Sequence, residues 1–531
     1  MGGLSLITSS TIQGANDAGE PVSLATTNEG HLEVALYDPI LPFGSLHVEN
    51  MTPIFQSDPV YGINQQQTQT TVSGTGSATT SDSLYVVSTG ATALSQGVIQ
   101  SRKRLRYRPG QGVIARFTAK FTAPVAYSYQ LAGLGHAEDG IYVGYADIAG
   151  AVSQLGILYV NRGVRETRTL TVTVGATSAS NCTITLNSVA FTVALTAASN
   201  IQRTVYEISQ ATYAGWDAYP IGTTVVFVRK SAGTASGTYS FGAGTTGASA
   251  SIAQTKAGVA STDTFIPQSS WNGDKLNGTG DSGLTIDPTK LNIFQISFGY
   301  LGTDAIVFKV KLCPANGNNP TWITFHTIRL PNTLTTSSFS NPSLPFTLAA
   351  YSVGSTTNLV VNSASFSGFI EGNKFLHGGR FSYFNSLTTV GATNFQALFT
   401  IMNTRYYKDR ANQAVINLLS VTGALKHTSP CIFYLIKNGT LAGNPNFQTL
   451  TNDSCSVWDT AATTVSYADG YQLLWTGHLG DTGELDHHFG NGSYNAEELT
   501  LQPGEWVTLA TRATTGTPAY VTGSVNTRED Q

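Results

Sequence analysis

The sequence predicts an all-β protein built from several packed β-sandwich domains. Apolar and polar residues alternate along many short segments, which is the pattern of half-buried strands. The chain has 531 residues, enough for roughly three to four domains, and 41% of them are hydrophobic, so a sizeable core can be buried. Only one segment stands out as a helix candidate.

The composition narrows the class of protein. Charged residues make up 11% of the chain, against about 25% in ordinary soluble domains. The surface is therefore mostly uncharged and polar, which favours large contacts with other protein copies because few ions need desolvating. The net charge of −4 implies no general attraction to nucleic acid. No secretory signal and no apolar run of membrane-spanning length is visible.

The elements follow in order from the N terminus. Residues 1–28 are polar and read as an arm, and residues 63–82 read as a loop or an exposed strand pair. Alternation is clearest over Val113–Phe121, where every second residue is apolar. Segments 291–300 and 306–312 predict a hairpin that turns at Gly302-Thr303-Asp304.

Residues 166–265 differ from their surroundings and predict a small α+β module inserted into a sandwich. Asn200 is a favoured N-cap, and Ile201, Val205 and Ile208 share one face of a predicted helix that runs to about Tyr213. The block 385–531 has its own strands and turns, which suit an antiparallel C-terminal β-sandwich. The stretch 375–388 is interpreted as the connection to it.

Six segments together form a joint pattern: TPIF (52–55), YGIN (61–64), SRKRLRYRPGQG (101–112), IPQSSWNGD (266–274), LTIDPTKLNIFQ (284–295) and HTIR (326–329). This pattern resembles that of uncharacterised virion structural proteins of tailed bacteriophages and large DNA viruses. The resemblance covers about residues 30–380. It implies a concanavalin-like, laminin-G-like jelly-roll sandwich formed by 29–165 and 266–380, with the 385–531 sandwich appended.

The resemblance also implies a function without a reaction. We expect a non-enzymatic particle component, such as a capsid-vertex, head-fibre or tail-fibre protein, located in the virion. Its expected partners are other virion proteins and further copies of itself, with a trimer favoured by analogy. No cofactor is expected. The alternatives are a receptor-binding module for host-surface glycans and, third, a particle-associated glycoside hydrolase. Candidates for sugar stacking are Tyr142, Tyr145, Trp216 and Trp271.

A stripe of arginines recurs at every second position; it consists of Arg102, Arg104, Arg106 and Arg108. An extended strand would place all of this arginine stripe on one face, where the cations repel one another unless anions oppose them. The stripe therefore predicts an interface with an acidic neighbour or an anion-binding site for sulfated glycans or phosphates. The alternative is a set of salt bridges within the protein.

Segment 478–488 collects imidazole and carboxylate side chains. A divalent metal site there would draw on His478, Asp481, Glu484, Asp486 and His487. If the segment is extended, His487 and His488 point to opposite faces, which makes joint ligation difficult. Glu484 and Asp486 also resemble part of the paired-carboxylate strand of concanavalin-like glucanases, although no second Glu follows at the required position.

The four cysteines are too scattered for a disulfide framework or a zinc ribbon. Cys431 and Cys455 would pair if their strands adjoin, and otherwise these residues are buried free thiols.

Overall fold

The computed structural model describes residues 51–147, 154–198, 200–299, 301–313, 319–372, 378–408, 410–426, 430–467, 472–480, 483–489, 499–515 and 520–530. Near the N terminus it also describes the backbone of two short paired strands, β1 (Gln13–Ala15) and β2 (Pro21–Ser23). The remainder of the predicted N-terminal arm, 1–28, lies outside the described residues. No helix in the described ranges is both long and apolar enough to cross a membrane.

Strands dominate the described chain, and the all-β prediction is confirmed. Nine strands precede the inserted segment: β3 (Met51–Ser57), β4 (Thr68–Ser73), β5 (Ser77–Ser81), β6 (Leu84–Ser88), β7 (Gln96–Leu105), β8 (Val113–Phe121), β9 (Ser128–Gly135), β10 (Gly140–Ala146) and β11 (Leu155–Asn161). The alternation predicted over Val113–Phe121 is present, because its odd-numbered residues are buried and most even-numbered ones are partly exposed.

The segment that follows has its own two small sheets, and we call it the inserted module. Its elements are β12 (Arg165–Val174), β13 (Ser180–Leu186), β14 (Val189–Leu195), α1 (Ile201–Gln210), β15 (Trp216–Ile221), β16 (Thr224–Ala232), β17 (Ser240–Gly242) and β18 (Ser249–Lys256). The Asn200 side chain accepts a hydrogen bond from the Arg203 N–H at 2.9 Å, so the predicted N-cap is confirmed. The helix ends at Gln210, three residues earlier than predicted.

The chain then returns to the sheets that it left. A short 3₁₀ turn, Gln268–Ser270, follows the first of seven strands: β19 (Thr262–Pro267), β20 (Asn292–Phe298), β21 (Ile306–Leu312), β22 (Thr321–Ile328), β23 (Leu344–Ser352), β24 (Val360–Ser363) and β25 (Phe366–Glu371). The predicted hairpin is present, because β20 and β21 pair antiparallel.

Two large antiparallel sheets make the first sandwich. One has the order β19-β11-β10-β9-β23-β7-β4, and the other has the order β22-β21-β20-β8-β24-β6-β5 with β25 and β3 alongside β8. Aromatic side chains join the sheets across the core: Phe346 of β23 stacks on Phe366 of β25 with centroids 4.2 Å apart, and lies 5.3 Å from Phe117 of β8. Residues 63–82, predicted to be a loop or an exposed strand pair, contain strands β4 and β5, which pair with β7 and β6 in opposite sheets and not with each other.

The C-terminal sandwich contains fifteen described strands. They are β26 (Arg380–Leu387), β27 (Gln396–Asn403), β28 (Tyr406–Tyr407), β29 (Arg410–Ala411), β30 (Val415–Leu425), β31 (Cys431–Lys437), β32 (Thr440–Gly443), β33 (Gln448–Thr449), β34 (Ser456–Asp459), β35 (Ala462–Ser466), β36 (Gln472–Leu479), β37 (Gly483–His488), β38 (Thr500–Leu501), β39 (Trp506–Ala513) and β40 (Val521–Asp530).

One sheet has the order β26-β40-β30-β37 and the other β32-β35-β27-β39-β31-β36. The prediction that 375–388 is a connection is wrong for its described part, because β26 pairs with β40 along all eight of its residues. Its inward face carries Tyr383, which is buried in the core of the C-terminal sandwich.

The inserted module packs on the C-terminal sandwich. Tyr206, Tyr219 and Val228 of the module join one buried apolar cluster with Tyr434 and Phe447 of the C-terminal sandwich. The Tyr206 hydroxyl also accepts a hydrogen bond from the Leu441 N–H at 3.0 Å. The inserted module therefore contacts the C-terminal sandwich directly, in addition to its covalent connections to the first sandwich.

Candidate functional site

The arginine stripe lies where the first sandwich meets the C-terminal sandwich. Strand β7 ends at Leu105, and residues 106–108 lead from it into the turn before β8. The Arg102 guanidinium lies 3.3 Å from the Glu505 carboxylate, which also receives the Lys437 ammonium at 2.7 Å. Glu505 is 7% exposed, so this ion pair is largely shielded from water.

Two further arginines of the stripe share one carboxylate. Arg106 and Arg108 lie 3.4 Å and 3.2 Å from the same Asp530 oxygen, and Arg106 also donates to the Asp530 carbonyl. All three side chains are at most 15% exposed. Burial lowers the pKa of Arg106, although the charge of Asp530 opposes this change. For these residues and Arg102, the structure shows salt bridges within the chain, the alternative considered from the sequence.

Arg104 differs from the rest of the stripe. Among the residues that the structure describes, its buried Nε and Nη1 atoms have no hydrogen-bond partner, and neither does the buried Nη1 of Arg108. A cavity of about 40 Å³ lies beside them, and its cationic lining is Lys103, Arg104, Arg106 and Arg108. Burial, followed by repulsion from Arg165 and Arg106, lowers the pKa of Arg104 to about 9.

A second concave feature lies on the outer face of the seven-stranded sheet, and we call it the tyrosine groove. Its volume is about 340 Å³, and its lining includes Tyr129, Leu131, Tyr142, Leu158, Ala349 and Tyr351. Burial raises the pKa of Tyr351 to about 12 and that of Tyr142 well above its ordinary value, so both phenols stay protonated. Of the four aromatic residues considered for sugar stacking, Tyr142 lines this groove, whereas Tyr145, Trp216 and Trp271 are in domain cores.

His136 supplies a polar group at the tyrosine groove. Its Nδ1 accepts a hydrogen bond from the Glu138 N–H at 3.1 Å, while its buried Nε2 has no partner in the described part of the chain. Burial and the nearby Arg165 and Arg104 lower its pKa well below the ordinary value, so the ring is neutral at pH 7. A neutral ring that accepts at Nδ1 carries its proton on Nε2, which leaves one open donor.

Exposed apolar residues border one end of the groove, and we call them the rim patch. It consists of Leu94, Tyr127 and Val353, which are 75%, 55% and 48% exposed. Leu94 and Val353 both line the groove, and the Val353 N–H donates to the Tyr127 carbonyl at 2.9 Å. Leu94 and Tyr127 have φ angles of 59° and 57°, a conformation that is strained for bulky residues and that collects at functional sites. Nothing in the sequence signals this patch, because its members are far apart along the chain.

The predicted metal ligands in segment 478–488 are distributed over two sheets. His478 is in β36, whereas Glu484, Asp486 and His487 are in β37 of the opposite sheet. Asp481 lies outside the described residues. Within the described ranges, no group of three or more His, Cys, Asp or Glu side chains is placed to hold a metal ion.

Within β37, successive side chains point to opposite faces, so the candidate metal ligands of this strand lie on two different faces. Glu484, Asp486 and His488 lie on the exposed face, and His488 Nε2 is 3.4 Å from the Asp486 carboxylate. His487 points the other way and stacks on Trp475, with centroids 5.6 Å apart. The opposite orientation of His487 and His488 follows the two-residue period of an extended strand.

The comparisons with known proteins do not assign a family. No family model matches the sequence, and no curated protein matches it. Among solved structures, the Faustovirus major capsid protein aligns over 91% of this chain and 92% of its own, with 8% sequence identity and a TM-score of 0.12. A TM-score of this size carries no inference about shared fold or function.

Proposed function

We propose that this chain is a non-enzymatic structural component of a virus particle that acts by assembling with other protein copies. The observation that carries the proposal is the rim patch: exposed apolar side chains, two of them on strained backbone, in a protein with few charged residues. Exposed apolar patches on soluble proteins mark contact surfaces, because their burial removes apolar area from water. The salt bridges and apolar cluster between the domains support a rigid building block.

The partner that we propose for the rim patch is a second copy of this chain, in a closed homo-oligomer. Burying a leucine side chain contributes roughly 1.5–3 kcal/mol, which corresponds to at least a tenfold change in dissociation constant. We therefore expect Leu94→Ser with Val353→Ser to weaken self-association tenfold or more in sedimentation velocity experiments. Leu473→Ser, which alters an exposed residue of the C-terminal sandwich, is the matched control and leaves association unchanged.

The particle location is tested separately. Mass spectrometry of purified particles and antibody labelling in electron micrographs would place the chain at a vertex, a head fibre or a tail fibre. A chain that stays monomeric at every concentration and is absent from particles contradicts the proposal.

The tyrosine groove favours a second candidate function, recognition of host-surface glycans. Tyrosine faces can stack on sugar rings, and His136, whose buried Nε2 has no partner among the described residues, also lines the groove. We expect labelled protein to bind members of a glycan array and Tyr351→Ala to lose that binding, while Tyr467→Ala, in the C-terminal sandwich, retains it. An array without binding at high protein concentration counts against this function.

A glycoside hydrolase remains the third alternative from the sequence. Polysaccharide turnover by the purified chain that Glu484→Gln abolishes would replace the non-enzymatic proposal. We expect no turnover by either protein.

A further inference from the structure

The cavity beside the arginine stripe carries an excess of positive charge. Among its lining residues are the guanidinium groups of Arg104, Arg106 and Arg108, against one carboxylate, from Asp530. That carboxylate already forms salt bridges with Arg106 and Arg108. Glu505 is paired with Arg102 and Lys437 and is not part of the cavity lining.

Two of the arginines that line this cavity have hydrogen-bond donors without a partner among the described residues. These donors are Arg104 Nε and Nη1 and Arg108 Nη1, and all three atoms are buried. A buried guanidinium is stable only when anions and acceptors satisfy it, since its charge has lost the solvation of water. The lowered pKa of Arg104, caused first by burial and then by Arg165 and Arg106, reflects this deficit of negative charge.

The size of the cavity limits the ligand. One enclosed water needs about 10–15 Å³, so a cavity of about 40 Å³ has room for a group of a few heavy atoms. A sugar or peptide segment is too large. A phosphate or sulfate offers several oxygens to separate guanidinium donors, which a simple halide does not.

We propose that this cavity binds a small tetrahedral oxyanion of the phosphate or sulfate class through Arg104 and Arg108. The bound anion neutralises the unpaired guanidinium and thereby strengthens the contact between the first and C-terminal sandwiches. Asn417, Thr500 and Gln502 of the C-terminal sandwich are the uncharged polar residues of its lining, which also includes Ile54, Ile370 and Val415.

The test uses thermal unfolding of the full chain with inorganic phosphate, sulfate or chloride at constant ionic strength. We expect a saturable rise in Tm with phosphate and sulfate and none with chloride, together with a matching dissociation constant from calorimetric titration. Glucose 6-phosphate distinguishes a free oxyanion from one carried on a larger molecule, and we expect it not to bind.

Two variants separate binding from general stability. Arg104→Met removes the unpaired charge but keeps most of the volume, so it should unfold at an equal or higher Tm in phosphate-free buffer and lose the phosphate response. Arg329→Gln, at an exposed arginine of the first sandwich, should keep the full response. An absent or non-saturable phosphate effect, or an equal effect in Arg104→Met, overturns the proposal. If Arg104→Met does not fold, Arg108→Gln provides a second test, and we expect it to lose the phosphate response as well.

Discussion

At the scale of single residues, the arginines of the stripe depend on carboxylates that the fold brings to them: Arg102 lies 3.3 Å from Glu505, and Arg108 lies 3.2 Å from Asp530. The spacing of the arginine stripe was visible, but its partners Glu505 and Asp530 lie about four hundred positions away. Only the fold brings them together, so the choice between an external and an internal anion could not be made from the sequence. The opposite orientation of His487 and His488, in contrast, depends on local strand geometry and was predictable.

The four cysteines provide the first residue-scale prediction. Cys313 is exposed, whereas Cys182, Cys431 and Cys455 are buried, and all four are free thiols. Burial raises the pKa of each buried thiol, that of Cys182 to about 11, so little reactive thiolate forms at pH 8. We expect a thiol reagent to titrate about one cysteine in the native chain and four after unfolding. Two thiols after unfolding would instead show that Cys431 and Cys455 pair.

Two histidines make stability depend on pH. Burial lowers the pKa of His136 and His326 in the folded chain, with Arg165 and Arg329 adding to the respective effects. Above pH 6.5 both are neutral whether the chain is folded or unfolded, and below it the unfolded chain binds protons that the folded chain does not. We expect stability to fall as the pH drops below 6.5, by up to about 1.4 kcal/mol per pH unit for each histidine. His136→Gln should show a shallower decline in chemical denaturation between pH 7 and 5, and an unchanged slope would contradict this assignment.

At the scale of elements, strands with a strong apolar alternation were predictable and those with polar inward positions were not. Strand β8 has apolar residues at all its buried odd-numbered positions, and this alternation alone predicts the strand. Strand β40 is also buried at alternate positions, but these include Gly523, Thr527 and Glu529, which carry no hydrophobic signal. The Glu529 carboxylate instead accepts hydrogen bonds from Ser454 and from the Cys455 N–H, a long-range arrangement that no local pattern encodes.

Strand β40 pairs on one side with β26 and on the other with β30, so its register determines the whole sheet. Val525 is fully buried in its centre, whereas Thr522 lies on the opposite face and is partly exposed. We expect Val525→Asp to destabilise the C-terminal sandwich by about 3 kcal/mol or more, because it buries an unpaired charge. Thr522→Asp, the control on the same strand, should cost less than about 1 kcal/mol. Equal losses in urea denaturation would mean that the strand does not have this register.

At the scale of the whole molecule, the joints between domains decide whether the chain behaves as one block. The apolar contact between the inserted module and the C-terminal sandwich and the arginine stripe connect different pairs of units. The all-β class followed from composition and periodicity, but these joints did not, because each combines residues from distant segments. Tyr206 and Tyr219, for example, look like ordinary core residues of their own module until Tyr434 and Phe447 are placed against them.

The salt bridges at Asp530 give the most direct test of that coupling. Asp530→Asn leaves the buried Arg106 and Arg108 without their shared carboxylate, and breaking such a buried pair typically costs about 3–5 kcal/mol. Asp453→Asn is the matched control, because Asp453 meets Lys408 at 2.8 Å with both side chains more than half exposed, where a pair contributes at most about 1 kcal/mol. We expect calorimetry to show a single unfolding transition for the wild type and the control, but separate transitions for the two sandwiches in Asp530→Asn. If both variants unfold like the wild type, the junction does not couple the sandwiches, and a rigid building block would have to depend on the apolar joint alone.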